Sequence, residues 1–154
     1  MNDSASTSNR HRIVVGTDGS ASSTDALRWA AQIAVQTGAQ ITIITCWQYP
    51  QGYGMSSATS DWDPEAAASA ILSYSLTTAF GDRQPDGLRA CVREGHPAQV
   101  LVEGSVDADM LVIGSRGHGG FVGLLLGSVS SYCTVHAKCP VVVVPHARII
   151  SGAN

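Results

Sequence analysis

Five short strand-like segments alternate with helix-like segments along the chain, and this alternation constrains the fold more than any other feature. Four of them, at residues 12–17, 41–47, 109–113 and 140–144, are apolar runs that are mostly rich in Val and Ile, and the fifth, at 88–94, alternates between apolar and polar residues. Continuous apolar runs of this length are typical of strands that are buried on both faces. Because helices separate the strands, the strands must be parallel with right-handed crossovers. The sequence therefore predicts an α/β fold, a doubly wound, five-stranded parallel sheet with helices on both faces.

The segments between the runs contain clear helix signals. Ser22 or Ser23 is placed to cap the first helix, and Gly38 suits the left-handed residue that follows a helix end. Asp63-Pro64 is a good helix start, with a capping side chain and a proline at the first helical position. Between two of these helices, residues 88–94 alternate between apolar and polar side chains, so this strand is predicted to lie near an edge of the sheet. The remaining helices are predicted at residues 64–80, 98–105 and 128–137.

One stretch has the composition of a phosphate-binding loop. Residues 114–120 read Gly-Ser-Arg-Gly-His-Gly-Gly, follow the apolar run 110–113, and lead through residues 127–130 into a helix. A glycine loop between a strand and a helix presents backbone N–H groups to an anion. Ser128 and Ser130 place hydroxyl donors at the same helix start. The alternative is that the glycines only make tight turns.

Two common nucleotide motifs do not describe this loop. A Walker A loop ends in Gly-Lys-Ser/Thr, whereas Leu126 precedes Gly127-Ser128 and no lysine is present. The dinucleotide fingerprint should follow the first strand, but that strand leads into Thr17-Asp18.

The spacing and its flanks resemble the ATP-binding motif of the universal stress protein family. Gly114 is followed after two residues by Gly117 and after nine more by Gly127-Ser128. The flanking segments 108–117 and 139–145, and the opening segment 13–20, are similar to the same family. The resemblance covers residues 11–146, and it implies strand order 3-2-1-4-5. In that order the first and fourth strands are neighbours, and ligands bind at the carboxyl ends of strands at such a switch point.

The resemblance implies ATP, with Mg²⁺, as the ligand, and assigns residues to it. Gly16 and Thr17 would line the nucleoside, Ile113 would lie against the base or ribose, and the Cys46 backbone would contact adenine. Cysteine departs from the small apolar residue usual at that position. The matched nucleotide-binding positions are Gly16, Thr17, Asp18, Cys46, Ile113, Gly114, Arg116, Gly117, Gly127, Ser128, Val129 and Ser130.

Three of the charged or titratable residues near this motif have a second interpretation. Asp18 can accept from a ribose hydroxyl or hold a cation, but it can equally cap the turn together with Ser20. Arg116 and His118 can reach phosphate or lie in solvent.

Composition excludes several classes of protein and bounds the compartment. With 44% hydrophobic and 14% charged residues the chain is globular, and a formal net charge of -3 with no basic patch argues against nucleic acid. Cys46, Cys91, Cys133 and Cys139 are expected as buried thiols in a reducing cytosol, with a Cys133–Cys139 redox pair as the alternative. The histidines show no metal-ligand spacing. No signal peptide or membrane-length run is visible, so a cytoplasmic protein is expected.

Three functions follow from these features. The first is what the family resemblance implies: a nucleotide-binding stress protein that acts as a sensor or switch and forms a homodimer through residues 141–144, with unknown further partners. The second is an enzyme such as a slow ATPase, against which stand the missing lysine and general base. The third is a dimeric scaffold without nucleotide. The predicted organisation is a disordered tail at 1–10, a nucleotide-binding domain at 11–146 and a tail at 147–154, with the role of the loop at 49–62 open.

Overall fold

A computed structural model describes residues 10–50, 61–117 and 126–146 of the chain. Five parallel strands form one sheet in the order β3-β2-β1-β4-β5. The predicted fold class and the strand order 3-2-1-4-5 are therefore confirmed. The strands are β1 Arg12–Gly16, β2 Gln40–Trp47, β3 Leu88–Glu94, β4 Met110–Gly114 and β5 Val141–Val144.

The first strand lies at the centre of the sheet and has its two neighbours on opposite sides. Val15 pairs with Ile43 of β2 and with Val112 of β4. The connections that leave β1 and β4 therefore diverge at their carboxyl ends, which leaves a crevice between them. As predicted, β3 is an edge strand, and β5 forms the other edge.

Four helices in the described ranges connect the strands, close to their predicted bounds. They are α1 Ala21–Thr37, α2 Pro64–Phe80, α3 Pro97–Gly104 and α4 Ser128–His136. The predicted cap of α1 was wrong: Ser20, and not Ser22 or Ser23, is the cap, and its side chain accepts from the Ser23 N–H. None of the helices in these ranges is long and apolar enough to cross a membrane.

Two hydrophobic clusters pack on opposite faces of the sheet. Leu27 of α1 and Leu72 of α2 cover the face that carries Ile41 and Ile43. On the other face, Leu101 of α3 and Cys133 of α4 belong to the cluster that contains Ile44 and Ile113. The two layers of helices cover both faces of the sheet, and the strand pairing places the carboxyl ends of β1, β2 and β4 next to one another.

The cysteines all belong to one face of the sheet and are free thiols. Cys133 is fully buried, whereas Cys46, Cys91 and Cys139 are half-buried, so the expectation of buried cysteines holds completely only for Cys133. The predicted tails at 1–10 and 147–154, His118, and the centre of the 49–62 loop lie wholly or almost wholly outside the described residues.

Candidate functional site

A cavity of about 580 Å³ opens at the carboxyl ends of β1, β2 and β4. Its size lies within the range of small-molecule and cofactor sites. Every residue that the sequence assigned to nucleotide binding lines it. These are Gly16, Thr17 and Asp18 after β1, Cys46 on β2, Ile113, Gly114, Arg116 and Gly117 at the end of β4, and Gly127, Ser128, Val129 and Ser130 at the start of α4.

Asp18 sits in the turn between β1 and α1, against the glycine loop. Its Oδ1 accepts a hydrogen bond from the Ser20 N–H at 2.9 Å, as in an Asx turn. Its Oδ2 is so close to Gly117 that a Cβ added there would lie 2.5 Å from it. The turn-capping role is thus present, and it holds the carboxylate beside the loop.

The end of β2 exposes backbone groups toward the space beyond β1. The Thr17 N–H donates to the Ile44 carbonyl at 3.1 Å, so the Ile44 backbone faces β1. Backbone groups alternate in direction along a strand, and the next pair that faces this side belongs to Cys46. The Cys46 N–H and C=O lie beyond the end of β1, so β1 does not pair with them. A donor and an acceptor side by side match the edge of a heterocyclic ring that carries both an acceptor and a donor.

Burial raises the pKa of the Cys46 thiol to about 11, and the nearby Arg93 offsets part of this effect. The side chain is therefore a neutral thiol at physiological pH. It can contribute packing to the cavity wall, and it is a poor nucleophile there.

Two carbonyls in the described part of the glycine loop accept hydrogen bonds from within the protein. The Ser115 carbonyl accepts from the Gly127 N–H at 2.7 Å and from Ser130 Oγ at 3.1 Å. The Arg116 carbonyl accepts from Ser22 Oγ at 2.5 Å. The Ser130 hydroxyl, expected to face a phosphate, donates instead to loop carbonyls, so the backbone N–H is what Ser130 offers to a ligand.

The first turn of α4 supplies further donors. Gly127 is the cap residue, and no side chain caps the helix start. The first N–H groups of a helix have no partner within it, so those of Ser128, Val129 and Ser130 face out of the helix toward the cavity that these residues line. The helix dipole adds partial positive charge at the same place.

Formal charge in the cavity is small and balanced. Of the described residues that line it, Arg116 is the cation and Asp18 is the carboxylate. The described residues contain no group of three or more His, Cys, Asp or Glu side chains that could hold a metal ion. Backbone dipoles therefore supply most of the donor capacity for an anion.

Other residues that line the cavity lie outside the matched positions. Ile71 of α2, Pro97 and Leu101 of α3, and Thr45 of β2 all line the cavity. Ile71 and Leu101 are brought in by helix packing, which the nucleotide motif does not describe. An apolar side chain on a helix that follows a site strand is the signal that could have indicated them.

Hydroxyl groups connect the β1 turn to α1 and α2 at the back of the cavity. Thr17 Oγ1 lies 3.1 Å from Ser23 Oγ and donates to Ser75 Oγ, also at 3.1 Å. Ser75, which is fully buried, donates its own hydrogen bond to the Ile71 carbonyl at 2.8 Å. Thr45 is 2% exposed, and its Oγ1 has no hydrogen-bond partner within the described part of the chain.

A family model described as the universal stress protein family matches residues 9–145. A universal stress protein of Mycolicibacterium smegmatis is 32% identical over 143 residues, which are 92% of this chain and 48% of that protein. A universal stress protein of Mycobacterium tuberculosis is 31% identical over 145 residues, 88% of this chain and 48% of that protein. The chain thus spans about half the length of the curated relatives it matches.

Two solved structures resemble the chain in fold and in sequence. A universal stress protein in complex with cAMP is 31% identical, with a TM-score of 0.65 over 90% of this chain and 98% of that one. A universal stress protein from Archaeoglobus fulgidus in complex with dAMP is 26% identical, with a TM-score of 0.61 over 87% of this chain and 97% of that one.

Proposed function

The chain belongs to the universal stress protein family, and from this membership we propose that it binds an adenine nucleotide and acts in stress response as a nucleotide-dependent sensor or switch. The observation that carries the proposal is the convergence of all twelve matched residues on one cavity. They come from four separate parts of the chain, so their meeting is not a consequence of sequence proximity.

Each part of the cavity suits one part of a nucleotide. The Cys46 backbone offers the donor and acceptor for the adenine edge, and Ile113 gives an apolar wall for the base or ribose. The amides of the α4 start and of Gly117 suit phosphate oxygens. Asp18 lies between these regions, next to Gly117, where a carboxylate can accept from a ribose hydroxyl.

We propose ATP with Mg²⁺ as the ligand. Mg²⁺ is held in many nucleotide sites by one or two carboxylates together with the phosphates, and Asp18 fits that donor set. Its carboxylate, half-buried and fixed by Ser20, would share the ion with phosphate oxygens. The ion supplies charge compensation, which the cavity needs because Arg116 is the cation among its described lining residues.

A nucleoside monophosphate, cyclic AMP included, is the second candidate. The observation that favours it is the solved relative in complex with cAMP, which is 31% identical and almost wholly covered by this chain. The modest charge of the cavity also suits a ligand with one phosphate better than one with three.

Catalytic turnover is not part of the proposed function. The described cavity contains no lysine, and Asp18, its carboxylate, already accepts from the Ser20 N–H. A general base that activates water would have to be within reach of the terminal phosphate. We propose at most slow ATP hydrolysis, and a cytoplasmic location as expected from the sequence.

The nucleotide proposal is tested by analysing the purified protein for a bound small molecule. Mass spectrometry and absorbance after denaturation should show an adenine nucleotide, and calorimetric titration should give a micromolar Kd for ATP, about -8 kcal/mol. Gly127→Glu places a carboxylate at the helix start and should abolish binding. Thr134→Glu adds the same charge on the exposed side of α4 and should leave it intact.

Three other outcomes decide against this form of the proposal. Tight binding of cAMP or AMP with weak binding of ATP favours the second candidate. Rapid ATP turnover that Asp18→Ala abolishes identifies an enzyme. No binding at millimolar nucleotide leaves a scaffold in which the glycine loop is structural.

We further propose a homodimer paired through β5. This strand is a sheet edge made of four valines, all half-buried, and a bare apolar edge invites pairing with another strand. The Leu111 N–H donates to the Pro140 carbonyl and the Ser115 N–H to the Val144 carbonyl. By alternation, the backbone groups of Val141 and Val143 face outward.

Sedimentation velocity tests this dimer. Val143→Pro removes an outward N–H without removing a bond to β4, so it should convert a dimer into a monomer. Val143→Ala keeps the N–H and should remain dimeric. A monomeric parent protein, or a Val143→Pro variant that is still dimeric, would exclude pairing through this edge.

A further inference from the structure

The orientation of peptide units in the glycine loop decides whether the loop attracts or repels an anion. In a trans peptide the C=O and the N–H of the following residue point in opposite directions. A phosphate needs the N–H side, so each carbonyl must be turned away from the cavity. The residues that bind these carbonyls therefore determine whether the loop presents N–H groups or carbonyl oxygens to an anion.

Ser22 holds both backbone groups of Arg116. Its Oγ donates to the Arg116 carbonyl at 2.5 Å and accepts from the Arg116 N–H at 3.3 Å. Ser20 Oγ adds a longer bond to the same carbonyl at 3.3 Å. Ser22 is 3% exposed and lies in the first turn of α1, behind the loop. Because the Arg116 carbonyl points toward α1, the Gly117 N–H points away from it.

The Arg116 peptide and the Gly127 peptide are held in different ways. The Gly127 carbonyl accepts from the Ser131 N–H at 2.9 Å as part of α4, so the helix itself fixes that peptide. The Arg116 carbonyl depends on the α1 hydroxyls instead. Gly117 follows it, and glycine adopts either orientation of the preceding peptide at little cost.

We propose that Ser22 is a positioning residue for the phosphate of the ligand, because it holds the Arg116 peptide so that the Gly117 N–H faces the cavity. The inference rests on the proposed nucleotide site, and it goes beyond that site by assigning a role to a helix residue that does not line the cavity. Ser22 acts through the loop, and without its hydroxyl the peptide can turn its carbonyl toward the phosphate.

The test compares adenosine with AMP and ATP on the same protein by calorimetric titration. Ser22→Ala should weaken the binding of AMP and ATP by about fivefold, which corresponds to one typical hydrogen bond, and should leave adenosine binding unchanged. Thr37→Ala is the matched control, because Thr37 Oγ1 bonds only to the Ile33 carbonyl at the far end of the same helix. It should change no affinity.

An NMR measurement on the unmodified protein tests whether the Gly117 N–H faces the phosphate, and its result does not depend on the stability of Ser22→Ala. The amide NMR signal of Gly117 should shift on addition of AMP and stay in place with adenosine, because only AMP carries the phosphate. In Ser22→Ala this shift should be reduced.

The outcomes separate the inference from the proposed function. Equal losses of adenosine and AMP affinity in Ser22→Ala, or AMP affinity that is unchanged, would overturn the positioning role while the nucleotide site stands. A Gly117 amide signal that does not shift although AMP binds tightly would also overturn the positioning role. A parent protein that binds neither ligand removes the site itself, and the inference with it.

Discussion

Gly114 and Gly127 belong to the same motif, but the structure gives them different reasons to be glycine. A Cβ on Gly114 would lie 2.5 Å from Ser22 Oγ and 2.7 Å from two backbone atoms, Ser22 C and Ser23 N. Backbone atoms of a helix start cannot move aside without moving α1. A Cβ on Gly127 would meet its nearest neighbours at 3.5 Å, which is ordinary contact.

Gly114→Ala should therefore destabilise the protein, and Gly127→Ala should not. Overpacking of this kind costs about 1–3 kcal/mol, which for a chain of this length lowers Tm by about 3–10 °C. Gly127 has φ -71° and ψ 170°, which alanine also adopts, so Gly127→Ala should remain within about 1 kcal/mol of the parent. If the proposed site is correct, that variant should lose nucleotide affinity instead.

Urea unfolding followed by circular dichroism measures the first effect, and nucleotide titration measures the second. Equal m-values would show that the change lies in stability and not in the compactness of either state. The steric reasoning fails if Gly114→Ala unfolds at the urea concentration of the parent protein. It fails equally if Gly127→Ala is the less stable of the two.

Three further predictions concern hydroxyl, carboxylate and thiol groups. Thr45→Val should raise the free energy of unfolding by about 1 kcal/mol, since Oγ1 is buried and has no hydrogen-bond partner among the described residues, whereas Ser75→Ala should lower it by a similar amount; a lower value for Thr45→Val in urea unfolding would contradict this. Asp18→Asn should leave stability unchanged and remove the Mg²⁺ dependence of ATP affinity, which titration with and without Mg²⁺ checks. Burial raises the pKa of Cys133 from 9.0 to about 11, with Cys139 adding to the rise. The contribution of the neutral Cys133 thiol to the free energy of unfolding should be complete below pH 9 and should be lost as the pH rises toward 11. Urea unfolding at several pH values should show a shallower loss in Cys133→Ala.

The fold could be predicted because its signals are local. Apolar runs of Val and Ile indicate strands that are covered by helices on both faces. Gly38, at φ +71°, ends α1, and the Asp63 side chain caps the start of α2, so both helix ends are determined by residues next to them in the sequence. The cap of α1 was misassigned because Ser20, Ser22 and Ser23 are all suitable caps, and local preference does not rank them. Packing decides: Ser22 Oγ is used by the Arg116 peptide, and Ser20 takes the cap.

The site could be predicted only along its motif. Residues that follow a strand or begin a helix carry a signal in their own neighbourhood, and all of those assigned residues line the cavity. Ile71 and Leu101 reach the cavity through packing between distant elements, and Thr45 lies beside the assigned Cys46 on β2. The segments that carry these three residues look like ordinary helix and strand. The direction in which a hydroxyl points also cannot be predicted from neighbouring residues. The Ser130 hydroxyl donates to the Ser115 carbonyl, which is 15 residues away in the sequence.

Asp18 shows that two interpretations of one residue need not compete. A carboxylate has two oxygens, and here Oδ1 accepts from the Ser20 N–H while Oδ2 lies against Gly117. Capping the turn restricts the rotation of the side chain, and a restricted carboxylate loses less conformational entropy when it receives a ligand or an ion. Asparagine retains the acceptor oxygen for Ser20 but not the charge. In the proposed site the cap is thus what prepares the carboxylate for binding, and Asp18→Asn separates the cap from the proposed binding role because only binding needs the charge.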